Sequence, residues 1–178
     1  SVASNRKHNG SLGAGKSLSF VRTSIPMAQR SRLSSGLCGI AGEYFVAAEL
    51  SRRGYIASLT LRNTKGIDIL ASNTDATKSV GIQVKAIQGS GKEWMLNQKH
   101  ESDIATNLFF VFIRLNDLLG PEYYVVPREE AAKYARDNHQ RWLKTPGRKG
   151  QQHQDTPMRK FADPENKYLN RWELLGLD

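Results

Sequence analysis

The chain has 178 residues, of which 39% are hydrophobic, so it is long enough to bury a core and its composition argues against wholesale disorder. It carries 26 Lys and Arg against 17 Asp and Glu, a formal net charge of +9, which favours an anionic partner. Its longest apolar run, residues 108–113, is too short to span a bilayer, and its single cysteine, Cys38, cannot form an intrachain disulfide, so we expect a cytoplasmic protein without membrane contact.

The positive charge is unevenly distributed. The first 35 residues contain six basic residues and no acidic one, and we interpret them as a flexible basic extension in which the residues before Met27 need not be native. Residues 36–178 are predicted to form one domain that is only mildly basic. Within it, a loop at residues 144–160 is rich in cations, and the candidates for phosphate contacts there are Arg148, Lys149, Arg159 and Lys160.

A helix is predicted first, over residues 40–53, because apolar residues recur at helical spacing before Gly54. Three strands follow at residues 56–61, 67–72 and 80–88, separated by polar turns. After a Gly-rich loop, the pattern predicts a short helix, a buried strand, an edge strand and a longer helix at residues 97–106, 108–116, 122–127 and 127–144. A breaker-rich loop and an amphipathic helical turn at residues 168–177 end the chain. This order indicates an α/β fold, a mixed sheet with helices packed on it.

The second and third strands read as a hairpin with chemistry on one face. In the third strand Gln83 and Lys85 alternate with apolar residues, so they share a side. If the turn centres on Asp75 and Ala76, Asp68 lies opposite Gln83, and an acid, an amide and an amine converge. A slip of one residue would move Asp68 to the other face. Taken singly, Asp68 could be an ordinary acid near a turn and Lys85 an exposed strand charge.

An acidic residue also stands on the apolar side of the first predicted helix. Glu43 has Val46, Ala47 and Leu50 as its neighbours at helical spacing. Burial of an unpaired carboxylate is costly, which implies a metal, a cation or a hydrogen-bonding partner nearby. Stabilisation by the helix dipole is the alternative reading, since Glu43 is near the predicted N-terminus.

Glu43 in a helix, Asp68 in the segment Ile-Asp-Ile, and Gln-Val-Lys at 83–85 resemble the active-site pattern of the PD-(D/E)XK nuclease superfamily. The resemblance covers roughly residues 40–126. It implies a single-domain restriction endonuclease-like fold with an αβββαβ core. The chain corresponds to a QxK variant, similar in this respect to Mrr-like enzymes, because Gln83 stands where the usual pattern has a carboxylate.

The resemblance implies a metal-dependent nuclease that hydrolyses DNA phosphodiester bonds with Mg²⁺ or Mn²⁺ and no organic cofactor. By position, Asp68 is the principal metal ligand, Glu43 an auxiliary one, and Lys85 the catalytic ammonium. Gln83 and the main-chain carbonyl of Val84 complete the expected ligands. Arg62 and Lys65 in the turn before Asp68 are candidates for backbone contacts, or an ordinary polar turn. Many such nucleases act as homodimers, which the sequence leaves open.

Other functions compete with this one. A catalytically inactive nucleic-acid-binding module of the same fold is the main alternative, motivated by Gln83, and a protein-interaction domain is another. Residues 10–17, GSLGAGKS, match the P-loop pattern, but no strand precedes them, so we interpret the match as chance rather than a nucleotide site. The four histidines show no ligand spacing that would indicate zinc.

Overall fold

The structure is a computed structural model that describes residues 32–61, 66–102, 104–116 and 119–178. Arg32–Asp178 form one compact unit. The P-loop-like segment and the rest of the N-terminal extension up to residue 31 lie outside the described residues. In the part of the chain that is described, no helix is both long and apolar enough to cross a membrane.

Two helices and seven strands make up the described fold. The helices are α1 (Ser35–Arg52) and α2 (Arg128–Lys144), and short 3₁₀ turns occur at Gln98–Glu101 and Trp172–Leu175. The strands are β1 (Ile56–Leu59), β2 (Ile69–Ser72), β3 (Ser79–Gln88), β4 (Glu93–Asn97), β5 (Leu108–Leu115), β6 (Glu122–Pro127) and β7 (Met158–Ala162). The predicted α/β class is therefore confirmed, and most predicted elements agree with the observed ones to within a few residues.

The central sheet is mixed, as predicted. Its five strands lie in the order β1-β2-β3-β5-β6, with β3 and β5 parallel and the other neighbours antiparallel. A second sheet pairs β4 with β7 in antiparallel register. The long strand β3 lies at the centre of the main sheet, between β2 and β5.

Helix α1 covers one face of the central sheet. It begins five residues earlier than predicted, because the Ser34 side chain accepts a hydrogen bond from the Leu37 N–H and caps the helix. A Cβ added at Gly42 would lie 2.7 Å from the Cβ of Ala86, so only glycine permits this close approach of helix to strand. Val46 and Leu50 are fully buried beneath the helix, as the apolar spacing predicted.

The opposite face carries an aromatic core under α2 and the β4-β7 sheet. Trp94 is fully buried and donates from Nε1 to the Ile113 carbonyl oxygen at 3.1 Å. The rings of Phe112 and Phe161 stack with centroids 4.3 Å apart, which joins β5 to β7. Burial of each such aromatic side chain stabilises the fold by about 1.5–3 kcal/mol.

The sequence predictions were wrong for the β4-β7 sheet. A Gly-rich loop was expected where β4 lies, a helix at 97–106 where only the 3₁₀ turn Gln98–Glu101 forms, and continuous loop at 144–160 where β7 begins at Met158. Apolar residues stand at exposed positions of both strands, Met95 in β4 and Met158 in β7, and they hide the alternation of buried and exposed side chains in the sequence. Their pairing joins segments far apart in the chain, which local patterns do not reveal.

Candidate active site

The β2-β3 hairpin has the predicted register. Its last ladder pair places Ile69 opposite Ile82, so the preceding residue, Asp68, lies across from Gln83. The turn lies where it was expected, with Ala76 at a φ of 56°. Ile69 points into the core beneath α1, and the alternation of side chains therefore directs Asp68 to the other face. This is also the face of Gln83 and Lys85.

The Asp68 carboxylate is held by the backbone of β3. Its Oδ2 accepts a hydrogen bond from the Val84 N–H at 2.7 Å, and the Asp68 N–H donates to the Ile82 carbonyl oxygen at 2.8 Å. The Thr60 N–H donates to the Asp68 carbonyl oxygen at 2.9 Å. A hydrogen bond from a backbone N–H to a carboxylate is charge-assisted, which makes it short and strong. Asp68 therefore presents a fixed, half-buried carboxylate beside β3.

Gln83 is buried and bound to an arginine that the sequence did not single out. Arg128 donates from Nη1 to the Gln83 Oε1 at 2.9 Å and from Nη2 to the Gly66 carbonyl oxygen at 2.9 Å. Only 2% of Arg128 is exposed, and its guanidinium lies over the Phe110 ring at 4.4 Å. Arg128 is the first residue of α2, where a cation opposes the helix dipole, and this unusual placement was the one available signal.

Lys85 is half-buried on the same face as Gln83. Burial lowers the pKa of its amine below the ordinary value of 10.5, the Asp68 carboxylate opposes that shift, and the Lys99 and Arg128 charges add to it. Desolvation thus outweighs the favourable charge of Asp68. A lysine whose pKa is lowered in this way is typical of functional sites.

Gln83 and Lys85 line a cleft of about 350 Å³. Its other walls come from β4 and the following 3₁₀ turn, namely Met95, Leu96, Asn97, Lys99 and His100. His100 is buried and packs edge-on against Phe110, with ring centroids 5.3 Å apart. Sequence reasoning missed this wall because it did not predict β4. The cleft thus carries two lysines, the half-buried Lys85 and the exposed Lys99, whose positive charge favours an anionic group.

Glu43 lies on the helix that covers the other face of the sheet. It is half-buried and directly follows Gly42, which packs against Ala86 and Val84. Since side chains alternate along β3, Gln83 and Lys85 point away from α1. The role of Glu43 as an auxiliary ligand stays a prediction.

The predicted DNA contacts divide into three groups. Arg62 and Lys65 lie outside the described residues. Arg148 and Lys149 are exposed in the loop between α2 and β7, and Lys160 is exposed with its amine 3.1 Å from the Glu93 carboxylate. Contact of these five residues with phosphate stays a prediction.

Arg159 corrects the prediction. Only 3% of it is exposed, and its guanidinium is paired with Glu101 and donates to the Met158 carbonyl oxygen at 3.0 Å. A side chain used in this way fits a structural role, joining β7 to the 3₁₀ turn that walls the cleft, and does not fit a phosphate contact. The residue was misassigned because a cluster of cations in a sequence does not show which of them is buried.

The donor set fits a hard divalent cation in part. Asp68 offers a carboxylate, and Mg²⁺ is commonly held by one or two carboxylates with several waters. The described residues contain no group of three or more His, Cys, Asp and Glu side chains arranged to hold a metal ion. The Gln83 oxygen already accepts from the Arg128 cation. Two unit charges about 4 Å apart repel by about 4 kcal/mol at an effective dielectric constant of 20, and a divalent ion doubles this.

No protein-family model matches the sequence, and no curated protein matches it either. Two solved structures are similar to the chain. One is Hjc, a Holliday junction resolvase from the archaeal hyperthermophile Archaeoglobus fulgidus, with 14% identity over 73% of this chain and 86% of that chain and a TM-score of 0.42. The other is the bacterial homing endonuclease I-Ssp6803I, with 13% identity over 80% of this chain and 92% of that chain and a TM-score of 0.42. At these scores and identities the similarities assign no activity to this chain.

Proposed function

We propose that this chain is a metal-dependent nuclease that hydrolyses DNA phosphodiester bonds at the cleft beside β3. The observation that carries the proposal is the hairpin register, which places the fixed carboxylate of Asp68 on the same face as Lys85. The lowered pKa of Lys85 and the presence of Lys99 beside it at the cleft support it. The PD-(D/E)XK-like order of Glu43, Asp68 and Lys85 in the sequence motivates the choice of reaction.

Phosphodiester hydrolysis needs charge neutralisation at the phosphate, an activated water and help for the departing oxygen. A bound Mg²⁺ or Mn²⁺ supplies Lewis-acid polarisation and lowers the pKa of a bound water. Asp68 would hold that ion, with the Val84 main-chain carbonyl as a second oxygen and Glu43 as an auxiliary ligand. Lys85 would orient the attacking water or stabilise the negative charge that develops on the phosphate.

DNA would reach the cleft along its cationic edge. Lys99 lies at the cleft, and the exposed Arg148 and Lys149 would add further phosphate contacts. Arg62 and Lys65 would bind the DNA phosphate backbone close to Asp68. Phosphate contacts of this kind position DNA without reading its sequence, so the proposed activity is stated for DNA as a chemical class.

Cleavage of plasmid and single-stranded DNA by the purified chain, with and without Mg²⁺, tests the proposal. We expect cleavage that depends on the metal and is lost in Asp68→Asn and Lys85→Met. The exposed residues Asp137 and Lys133 on α2 provide matched controls, Asp137→Asn and Lys133→Met, which should retain wild-type rates. Unchanged cleavage in both Asp68→Asn and Lys85→Met would show that the site is elsewhere.

A second function is an inactive nucleic-acid-binding module, and the bond between Arg128 and the Gln83 oxygen favours it. That bond occupies the side-chain oxygen of Gln83, which stands where the PD-(D/E)XK-like pattern has a carboxylate. Salt-sensitive DNA binding by a chain that cleaves no DNA with Mg²⁺ or Mn²⁺ would support this function over hydrolysis.

A further inference from the structure

The buried guanidinium of Arg128 joins the two segments from which the candidate site is built. One donor binds the carbonyl oxygen of Gly66, two residues before Asp68, and another binds the side chain of Gln83, the residue before Val84. Val84 in turn donates to the Asp68 carboxylate. Arg128 therefore contacts the chain on both sides of that carboxylate.

We propose that Arg128 is a positioning residue that occupies the amide oxygen of Gln83, so that the divalent metal is bound at Asp68 without the Gln83 side chain. This inference rests on the proposed function. It replaces the expectation from the sequence that Gln83 is a metal ligand. The Arg128–Gln83 pair stands where the PD-(D/E)XK-like pattern has an acidic residue.

The physical reason is the permanence of the cation. A guanidinium does not lose its proton in proteins, and Arg128 is both buried and stacked on Phe110, so it cannot turn away into solvent. The neutral amide of Gln83 accepts a hydrogen bond from this cation without burying a second charge. A metal ion on the same oxygen would stand a few ångströms from the guanidinium in a desolvated place, where repulsion is strong.

The same geometry predicts what a carboxylate at position 83 would do. In Gln83→Glu the new carboxylate would pair with Arg128, as buried arginines pair with acids, and would gain little for the metal. With the cation removed in Arg128→Met, the Glu at 83 would be open to ligate. The effect of Gln83→Glu on metal affinity should therefore depend on the residue at position 128.

Titration of Mn²⁺ into the full chain, followed by calorimetry, tests this without reference to cleavage. We expect Gln83→Glu alone to change the Mn²⁺ affinity by less than about threefold and the Arg128→Met/Gln83→Glu double variant to raise it by at least about tenfold over Arg128→Met. Arg141→Met, at an exposed arginine on the same helix, should leave the effect of Gln83→Glu as small as in the wild type. A purely structural role for Arg128 would produce no such coupling.

If Gln83→Glu raises the Mn²⁺ affinity by about tenfold or more with Arg128 in place, the inference is overturned, because the side chain at position 83 would then be accessible to the metal. If Arg128→Met does not fold, Gln83→Glu and Arg128→Lys decide the question. The lysine variant keeps the charge, and should keep the effect of Gln83→Glu below about threefold; a large effect there also overturns it.

The outcomes separate this inference from the proposed function. Mn²⁺ binding that is lost in Asp68→Asn, in a chain that cleaves no DNA, would overturn the nuclease and leave the role of Arg128 standing. Cleavage that depends on Asp68, together with tighter Mn²⁺ binding by Gln83→Glu alone, would support the nuclease and overturn the role of Arg128. A chain that binds no Mn²⁺ would overturn both.

Discussion

The backbone N–H of Val84 donates to the Asp68 carboxylate at 2.7 Å, and this single bond fixes the acid that directly precedes β2 against the middle of β3. Asparagine at position 68 could keep the acceptor through its side-chain oxygen, but it would remove the charge. We therefore expect Asp68→Asn to fold and to reduce Mg²⁺-dependent DNA cleavage by at least about 100-fold. The rate of plasmid cleavage measures this, and a rate within a few-fold of Asp137→Asn would contradict it.

Lys85 makes stability depend on pH in a predictable direction. Burial lowers the pKa of Lys85 in the folded state below 10.5, so between these two values the unfolded chain binds more protons than the folded one. The cost of the buried ammonium is fully present below the folded pKa and disappears as the pH rises towards 10.5. Lys85→Met should thus be more stable than the wild type at pH 7.

Urea unfolding at neutral and alkaline pH measures this difference in the free energy of unfolding. The advantage of Lys85→Met should shrink as the pH rises, whereas Lys133→Met, at an exposed site, should show no such trend. An advantage that grows with pH would mean that the Lys85 pKa is raised rather than lowered.

The contact of α1 with β3 is tested at Gly42. Alanine there would place its Cβ 2.7 Å from the Ala86 Cβ and 3.1 Å from the Ile113 Cγ2, so we expect Gly42→Ala to destabilise the chain by about 1–3 kcal/mol. At Gly39, on the same helix, nothing lies within 4 Å of an added Cβ. Gly39→Ala should therefore stabilise by about 0.5–1 kcal/mol.

Urea midpoints compare the two glycine variants. Ala86→Gly removes the atom nearest to the new Cβ, so it should recover part of the loss in Gly42→Ala. Equal effects of alanine at Gly39 and Gly42 would show that helix propensity alone, and not the contact with Ala86, determines the result.

The hairpin of the site could be predicted because its signals are local. Alternation along β3 and the turn at Asp75 and Ala76 fix the register, and they lie within a few residues of one another. The Arg128–Gln83 bond spans 45 residues and depends on how α2 packs, which no pattern in either segment encodes. The cleft wall was missed for the same reason, since β4 pairs with β7, a strand far away in the sequence.

The cations of the 144–160 segment have separable roles. The buried Arg159 is paired with Glu101, so Arg159→Gln should cost about 3–5 kcal/mol in the free energy of unfolding, as breaking a buried pair does. The exposed Arg148 and Lys149 should contribute little to folding and should bind phosphate. Their double replacement by Gln should weaken DNA binding and reduce the slope of log K against log salt by about 2, near 0.9 for each lost phosphate contact.

Fluorescence anisotropy with labelled DNA at several salt concentrations, together with urea unfolding, distinguishes these roles. Arg159→Gln should keep the wild-type salt slope at a temperature where it remains folded, because its guanidinium does not reach solvent. If instead Arg159→Gln lowers the slope and leaves stability unchanged, the pairing with Glu101 must open when DNA binds, and the 3₁₀ turn that carries Lys99 into the cleft would move with it.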